Sequence, residues 1–114
     1  MKWAVEAPAN DPLMIIPGLA AITQHLAFGA TVSTTYEQPF SHARRFSTLD
    51  HMTNGRIGWN IVTSYLSSAA RNFGLEQMIK HGDRYERAEE FMDVVYKLWE
   101  GSWADDAVVA NKAR

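Results

Sequence analysis

Cysteine is absent from the 114 residues, which removes disulfides, thiolate zinc sites and a cysteine nucleophile, and fits a reducing compartment. Long apolar runs are missing too. No stretch approaches the roughly 18 residues a membrane span requires, and the opening MKWAVEAPANDP has one lysine and no apolar segment of a signal sequence. The chain therefore reads as soluble and cytoplasmic, with no membrane partner. Basic clusters are equally scarce: none exceeds the pair Arg44-Arg45, and a formal net charge of -2 with interspersed signs offers no surface for nucleic acid. Histidines are few and badly spaced for a metal. His42 and His51 lie on one helical stretch and His25 elsewhere, without ligand spacing, so no metal site is expected.

What is present is ordinary globular material, 46% hydrophobic and 21% charged, the size of one small domain. Asp11-Pro12 forms a helix-start signal, and Leu13, Ile16, Leu19, Ile22 and Leu26 follow at helical spacing, although Pro17-Gly18 interrupts them. Phe28-Gly29 reads as the stop of that helix. ATVSTT is β-branched enough for a short strand, with Thr31 and Ser33 on one face and Val32 on the other. A second helix carries Phe40, Ala43, Phe46, Leu49 and Met52 along one side and ends at Asn54-Gly55. Ile57 to Thr63 forms a strand apolar on both faces, as in a covered parallel sheet.

Ser67 or Ser68 is placed to cap a short helix through SAARNF, closed by Gly74. The last helix is marked by Asp83 and Glu86 in capping-box spacing and by a stripe of Tyr85, Ala88, Met92, Val95 and Trp99 down to Gly101. Alternating helices and strands with short connections predict an α/β fold with a parallel sheet. Two strands are few for such a fold, because a complete (β/α)8 barrel takes about 250 residues. The expectation is self-assembly, or a piece of something larger.

One pattern stands out chemically. In GRIGWNIVTSYLSSAARNFG, Asn60, Thr63 and Ser64 sit where an apolar strand runs out, and buried polar groups need partners. From the residues alone these side chains either cap the following turn or face a ligand. Period-two spacing puts Asn60, Val62 and Ser64 on one face.

The segments STTYEQPFSHARRFSTLDHMTNGRIGWNIVTSYLSSAARNFG and HGDRYERAEEFMDVVYKLWEGSW closely resemble the flavin-dependent monooxygenases of the bacterial-luciferase-like superfamily. The nearest branch is that of nitrilotriacetate monooxygenase component A and dibenzothiophene-sulfone monooxygenase, and the likeness runs from about Trp3 to Val109. It implies a partial (β/α)8 TIM barrel with about two parallel strands and three to four helices, residues 1–114 forming one incomplete domain. It also implies reduced FMN supplied by a separate flavin reductase, and O2 as co-substrate for oxidising a small organic molecule. Carried over position by position, the FMN-site residues are Thr31 or Ser33, Asn60, Ser64, His81 and Tyr85. Arg84 is a further candidate near the flavin phosphate or ribityl chain. Tyr85 also falls in the apolar stripe, where a packing role competes.

No catalytic base is assigned, because the flavin carries the chemistry in this family. The competing function is a non-catalytic remnant, or an interaction module that docks with a complementary barrel half. In either case Trp59, Phe91 and Trp99 are expected to be partly exposed, and open strand edges to promote self-association.

Overall fold

The computed structural model describes residues 10–104 and Ala107. Its elements are α1 (Pro12–Ile22), β1 (Phe28–Ser33), α2 (Pro39–Thr53), β2 (Ile57–Val62), α3 (Ser67–Asn72) and α4 (His81–Gly101). The two strands pair in parallel, from Phe28 opposite Ile57 to Ser33 opposite Val62. A parallel pair needs a crossover, and α2 supplies it.

Local chemistry explains most boundaries. The Asp11 carboxylate accepts from the Leu13 N–H at 2.9 Å, with Pro12 behind it, so α1 starts where its sequence signal stands. It ends at Ile22 rather than near Phe28-Gly29, which instead open β1. The reason lies in the turn after it: Thr23 takes an extended backbone and its hydroxyl donates to the Leu19 carbonyl. That turn is gripped from across the fold. Arg56 donates to the carbonyls of Ala20, Leu26 and Thr53 and to the Thr23 hydroxyl, while its guanidinium lies over the Phe28 ring. At the end of α2, Asn54 adopts the left-handed conformation at φ 54° and Gly55 follows at φ 76°, as their sequence pairing requires.

The core sits on one side of the sheet. Phe28, Ala30 and Val32 point there, against Leu13, Ile16 and Ala20 of α1 and Phe46 and Leu49 of α2. A second cluster joins Ala43 of α2 to Phe91 and Val95 of α4, and Trp59 packs against both. Its indole N–H donates to the Val32 carbonyl at 2.9 Å, fixing the ring across the strand pair.

Phe40 and Met52 are exposed, and the buried face of α2 runs through His42, Ala43, Phe46, Leu49 and Thr53. The α4 helix begins at His81 after Lys80, so Asp83 lies inside the first turn and no capping box forms. Its buried face is Arg84, Phe91 and Val95; Val95 belongs to the expected stripe, whereas Tyr85, Met92 and Trp99 lie one residue round from the face that is buried. The rotation brings Phe91 into the cluster around His42, so Phe91 is buried rather than partly exposed. Ser67 lies within α3, which follows Leu66 without a side-chain cap. β2 is half-exposed rather than covered on both faces, because each strand has only one neighbour among the described residues.

Candidate functional site

The face of the sheet turned away from the helices carries Thr31 and Ser33 from β1 and Asn60 from β2, as period two demands. Register makes them neighbours: Thr31 stands opposite Asn60, and the Asn60 amide donates to the Thr31 hydroxyl at 3.0 Å. At the strand tips, the Ser64 hydroxyl donates to Ser33 Oγ at 2.7 Å. The third pair is on α4, where the rings of His81 and Tyr85, one turn apart, lie 4.7 Å from each other. All six residues singled out from the sequence thus fall into three touching pairs. Ser64 joins the second pair to the third, because an open cavity of about 720 Å³ is lined by Ser64, Tyr65, His81, Arg84 and Tyr85.

Ser64 is held in an unusual backbone. Its φ of 58° is left-handed, which a non-glycine residue adopts only when its surroundings enforce it. Those surroundings are two threonines directly after β1. Thr34 donates its N–H to the Val62 carbonyl at 3.0 Å, and the Thr35 hydroxyl donates to the Thr63 carbonyl at 2.6 Å. Both side chains are buried. They extend the ladder past the last paired residues, and the β-branched pair directly after β1 was the available signal. The Thr35 N–H also donates to Ser33 Oγ at 3.2 Å, so this oxygen is oriented from two sides.

An aromatic contact completes the strand-end region. Tyr36, after β1, and Phe73, after α3, stack with ring centroids 4.5 Å apart and planes within 3°. α3 packs against no other helix or strand among the described residues, so this stack tethers it beside the strand ends.

His42 is placed differently. It is fully buried on the helix side of the sheet, ringed by Phe46, Trp59, Phe91 and Trp99, with neither ring nitrogen hydrogen-bonded. Burial, with a smaller contribution from Arg45, lowers its pKa from 6.5 to about 4. It is a neutral packing group at neutral pH, outside the strand-end site.

Two parallel strands joined by a helical crossover, with hydroxyl and amide groups toward their C-terminal ends, match a piece of a βα-barrel, a fold whose sites lie at that end. The comparisons agree. The family model for luciferase-like monooxygenase matches residues 2–111, and the chain belongs to that family. It is 59% identical over 111 residues to the long-chain alkane monooxygenase of Geobacillus thermodenitrificans, covering 97% of this chain and 25% of that protein. A crystal structure of a long-chain alkane monooxygenase superposes with a TM-score of 0.87 at 58% identity, over 95% of this chain and 25% of that one.

Nitrilotriacetate monooxygenase component A of Aminobacter aminovorans is 48% identical over 102 residues, covering 90% of this chain and 22% of that protein. A riboflavin lyase solved with modified FMN and its substrate riboflavin superposes with a TM-score of 0.85 at 45% identity, over 94% of this chain and 24% of that one. The chain spans about a quarter of the length of these relatives, and its described residues form two parallel strands and four helices of a partial (β/α)8 barrel. Among the described residues no helix is long and apolar enough to cross a membrane.

Proposed function

We propose that the chain is part of an FMN-dependent monooxygenase domain that uses reduced flavin and O2 to oxidise a small organic substrate in the cytoplasm. The observation that carries this reading is that Thr31 and Asn60, Ser33 and Ser64, and His81 and Tyr85 form three touching pairs, with Ser64 lining one cavity with His81 and Tyr85. The donor set suits the cofactor. An isoalloxazine edge alternates donors and acceptors, which an Asn amide matches with both its functions and which hydroxyls can meet in either sense. Bound FMN would supply electrons for placing an oxygen atom into the substrate. The residues of this chain would hold and orient the ring. A flavin reductase is the inferred partner, supported by the name of the component A relative, which marks it as one member of a multi-component system.

A second reading rests on a different observation. On the helix side, Ile57, Trp59, Ile61, Met92, Tyr96 and Trp99 line an open cavity of about 470 Å³ beside the free edge of β2. Such a face invites self-association or docking with a complementary barrel segment, with no catalysis by this chain alone.

Titration of the purified chain with FMN, followed by flavin fluorescence, tests the first reading. Saturable quenching that weakens in Asn60→Ala supports it. Quenching that is absent, or unchanged in Asn60→Ala, counts against it and favours the second.

A further inference from the structure

Between the end of β2 at Val62 and the start of α4 at His81 the chain makes a long excursion that contains α3. Its middle part is bonded to itself. The Ala69 and Ala70 N–H groups donate to the Leu66 carbonyl, those of Phe73 and Leu75 to the Ala70 carbonyl, and that of Gly74 to the Arg71 carbonyl. The buried residue of α3 is Ala70, whose single methyl group covers little area. Since α3 packs against no other helix or strand among the described residues, the parallel stack of Phe73 on Tyr36 is what joins this unit to the end of β1.

The backbone on either side is suited to a pivot. Ser64, just before the unit, is left-handed at φ 58°, and Gly74 in its last turn at φ 78°. Ser64 stays with the strands, because its hydroxyl is bonded to Ser33 and the preceding Thr63 carbonyl to Thr35. The first pivot therefore falls at Tyr65, and Glu76 to Lys80, outside any helix or strand, supply the second. Tyr65, Leu66, Phe73 and Leu75 ride on the unit in solvent, Tyr65 at 79% exposed. Apolar surface left in water on a weakly held element favours a second position that covers it. Tyr65 already lines the strand-end cavity with Ser64, His81 and Tyr85, so the cavity lies within reach of the swing.

We propose that Tyr65 to Leu75 form a hinged lid, latched to the end of β1 by the Tyr36–Phe73 stack, which swings over the strand-end cavity when a ligand seats there. The proposal rests on the flavin reading for the ligand, and on the geometry alone for the latch. Closure exchanges one aromatic stack for burial of Tyr65 and Leu66, and excludes water from the covered site.

The chain has no cysteine, so Ser68→Cys on α3 and Thr48→Cys on α2, both exposed positions, take a pair of spin labels without competition. Pulsed electron resonance then reads the distance between them in the full chain. One main distance and a minor second one are expected. Phe73→Ala should raise the minor population about three- to tenfold. Tyr36→Phe, which keeps the stack, should leave it unchanged, and saturating FMN should make it dominant. Circular dichroism establishes that each variant is folded, and Phe73→Leu carries the test if Phe73→Ala is not.

FMN that binds, by its fluorescence, without moving the labels overturns the lid and leaves the flavin reading standing. A distance that responds to Phe73→Ala in a chain that binds no FMN supports the latched lid and counts against the flavin reading. A single distance unchanged by Phe73→Ala and by FMN overturns the lid.

Discussion

The Ser64 hydroxyl donates to Ser33 Oγ across 2.7 Å, tying together the tips of two strands whose residues lie 31 positions apart in the chain. The bond exists because Ser64 is turned into the left-handed region at φ 58°, a conformation fixed from behind by the Thr35 hydroxyl on the Thr63 carbonyl. Sequence, backbone strain and candidate site therefore meet at one residue.

Two substitutions at Ser64 should separate its backbone role from its side-chain role. Ser64→Gly relieves the strained φ while removing the hydroxyl, so its stability in urea should stay within about 1 kcal/mol of the parent. Ser64→Ala keeps the strain, loses the bond, and should be less stable than Ser64→Gly. Both should weaken FMN binding if the hydroxyl belongs to the site. Thr35→Val should mimic Ser64→Ala without touching the cavity wall.

His42 sets an acid limit on stability. Its folded pKa of about 4 lies below the ordinary 6.5 because burial disfavours the charged ring, so the unfolded chain binds the extra proton first as pH falls. Stability contributed by neutral His42 is complete above about pH 6.5 and is lost progressively down to about pH 4. The total is on the order of 3 kcal/mol. Urea midpoints measured across this window should fall with pH, and His42→Phe, if it folds, should flatten that part of the profile. An unchanged slope in His42→Phe would assign the acid sensitivity elsewhere.

Arg56 should be the costliest single polar residue to replace. Its guanidinium satisfies three carbonyls and the Thr23 hydroxyl, from the end of α1 to the end of α2. Lysine keeps the charge but lacks the fork. Arg56→Lys is expected to lose about 2–4 kcal/mol in chemical denaturation, more than any surface arginine such as Arg44. A loss below about 1 kcal/mol would mean that water replaces the clamp at little cost.

The sequence was most informative where local chemistry decides structure. Asp11-Pro12 started α1 and Asn54-Gly55 stopped α2 as their residue types demand, and period two separated Thr31 and Ser33 from Val32 correctly. It misled where tertiary contacts decide. Leu26 has the helical spacing of α1, yet its carbonyl goes to Arg56. His42 shows only that it lacks metal-ligand spacing, yet it fills an aromatic cage built from α2, β2 and α4. The α4 stripe was read one residue off because Arg84, a charged residue, takes a buried place. The six candidate site residues came from family likeness, and hydrogen bonds reaching across β1 and β2 could not be read from spacing. Thr34 and Thr35 stand in the β-branched strand run, but their hydrogen-bond partners, 28 positions away, are not legible in it.

Peptide-resolved hydrogen exchange of the chain with and without FMN addresses the central claim most directly, since backbone protection reports where a ligand settles. The account predicts slowed exchange in the segments that carry Thr31 to Thr35, Asn60 to Tyr65 and His81 to Tyr85, with α1 and the outer turns of α2 unchanged. Protection confined to the helix-side cavity around Tyr96 and Trp99, or no protection anywhere at saturating FMN, would contradict it.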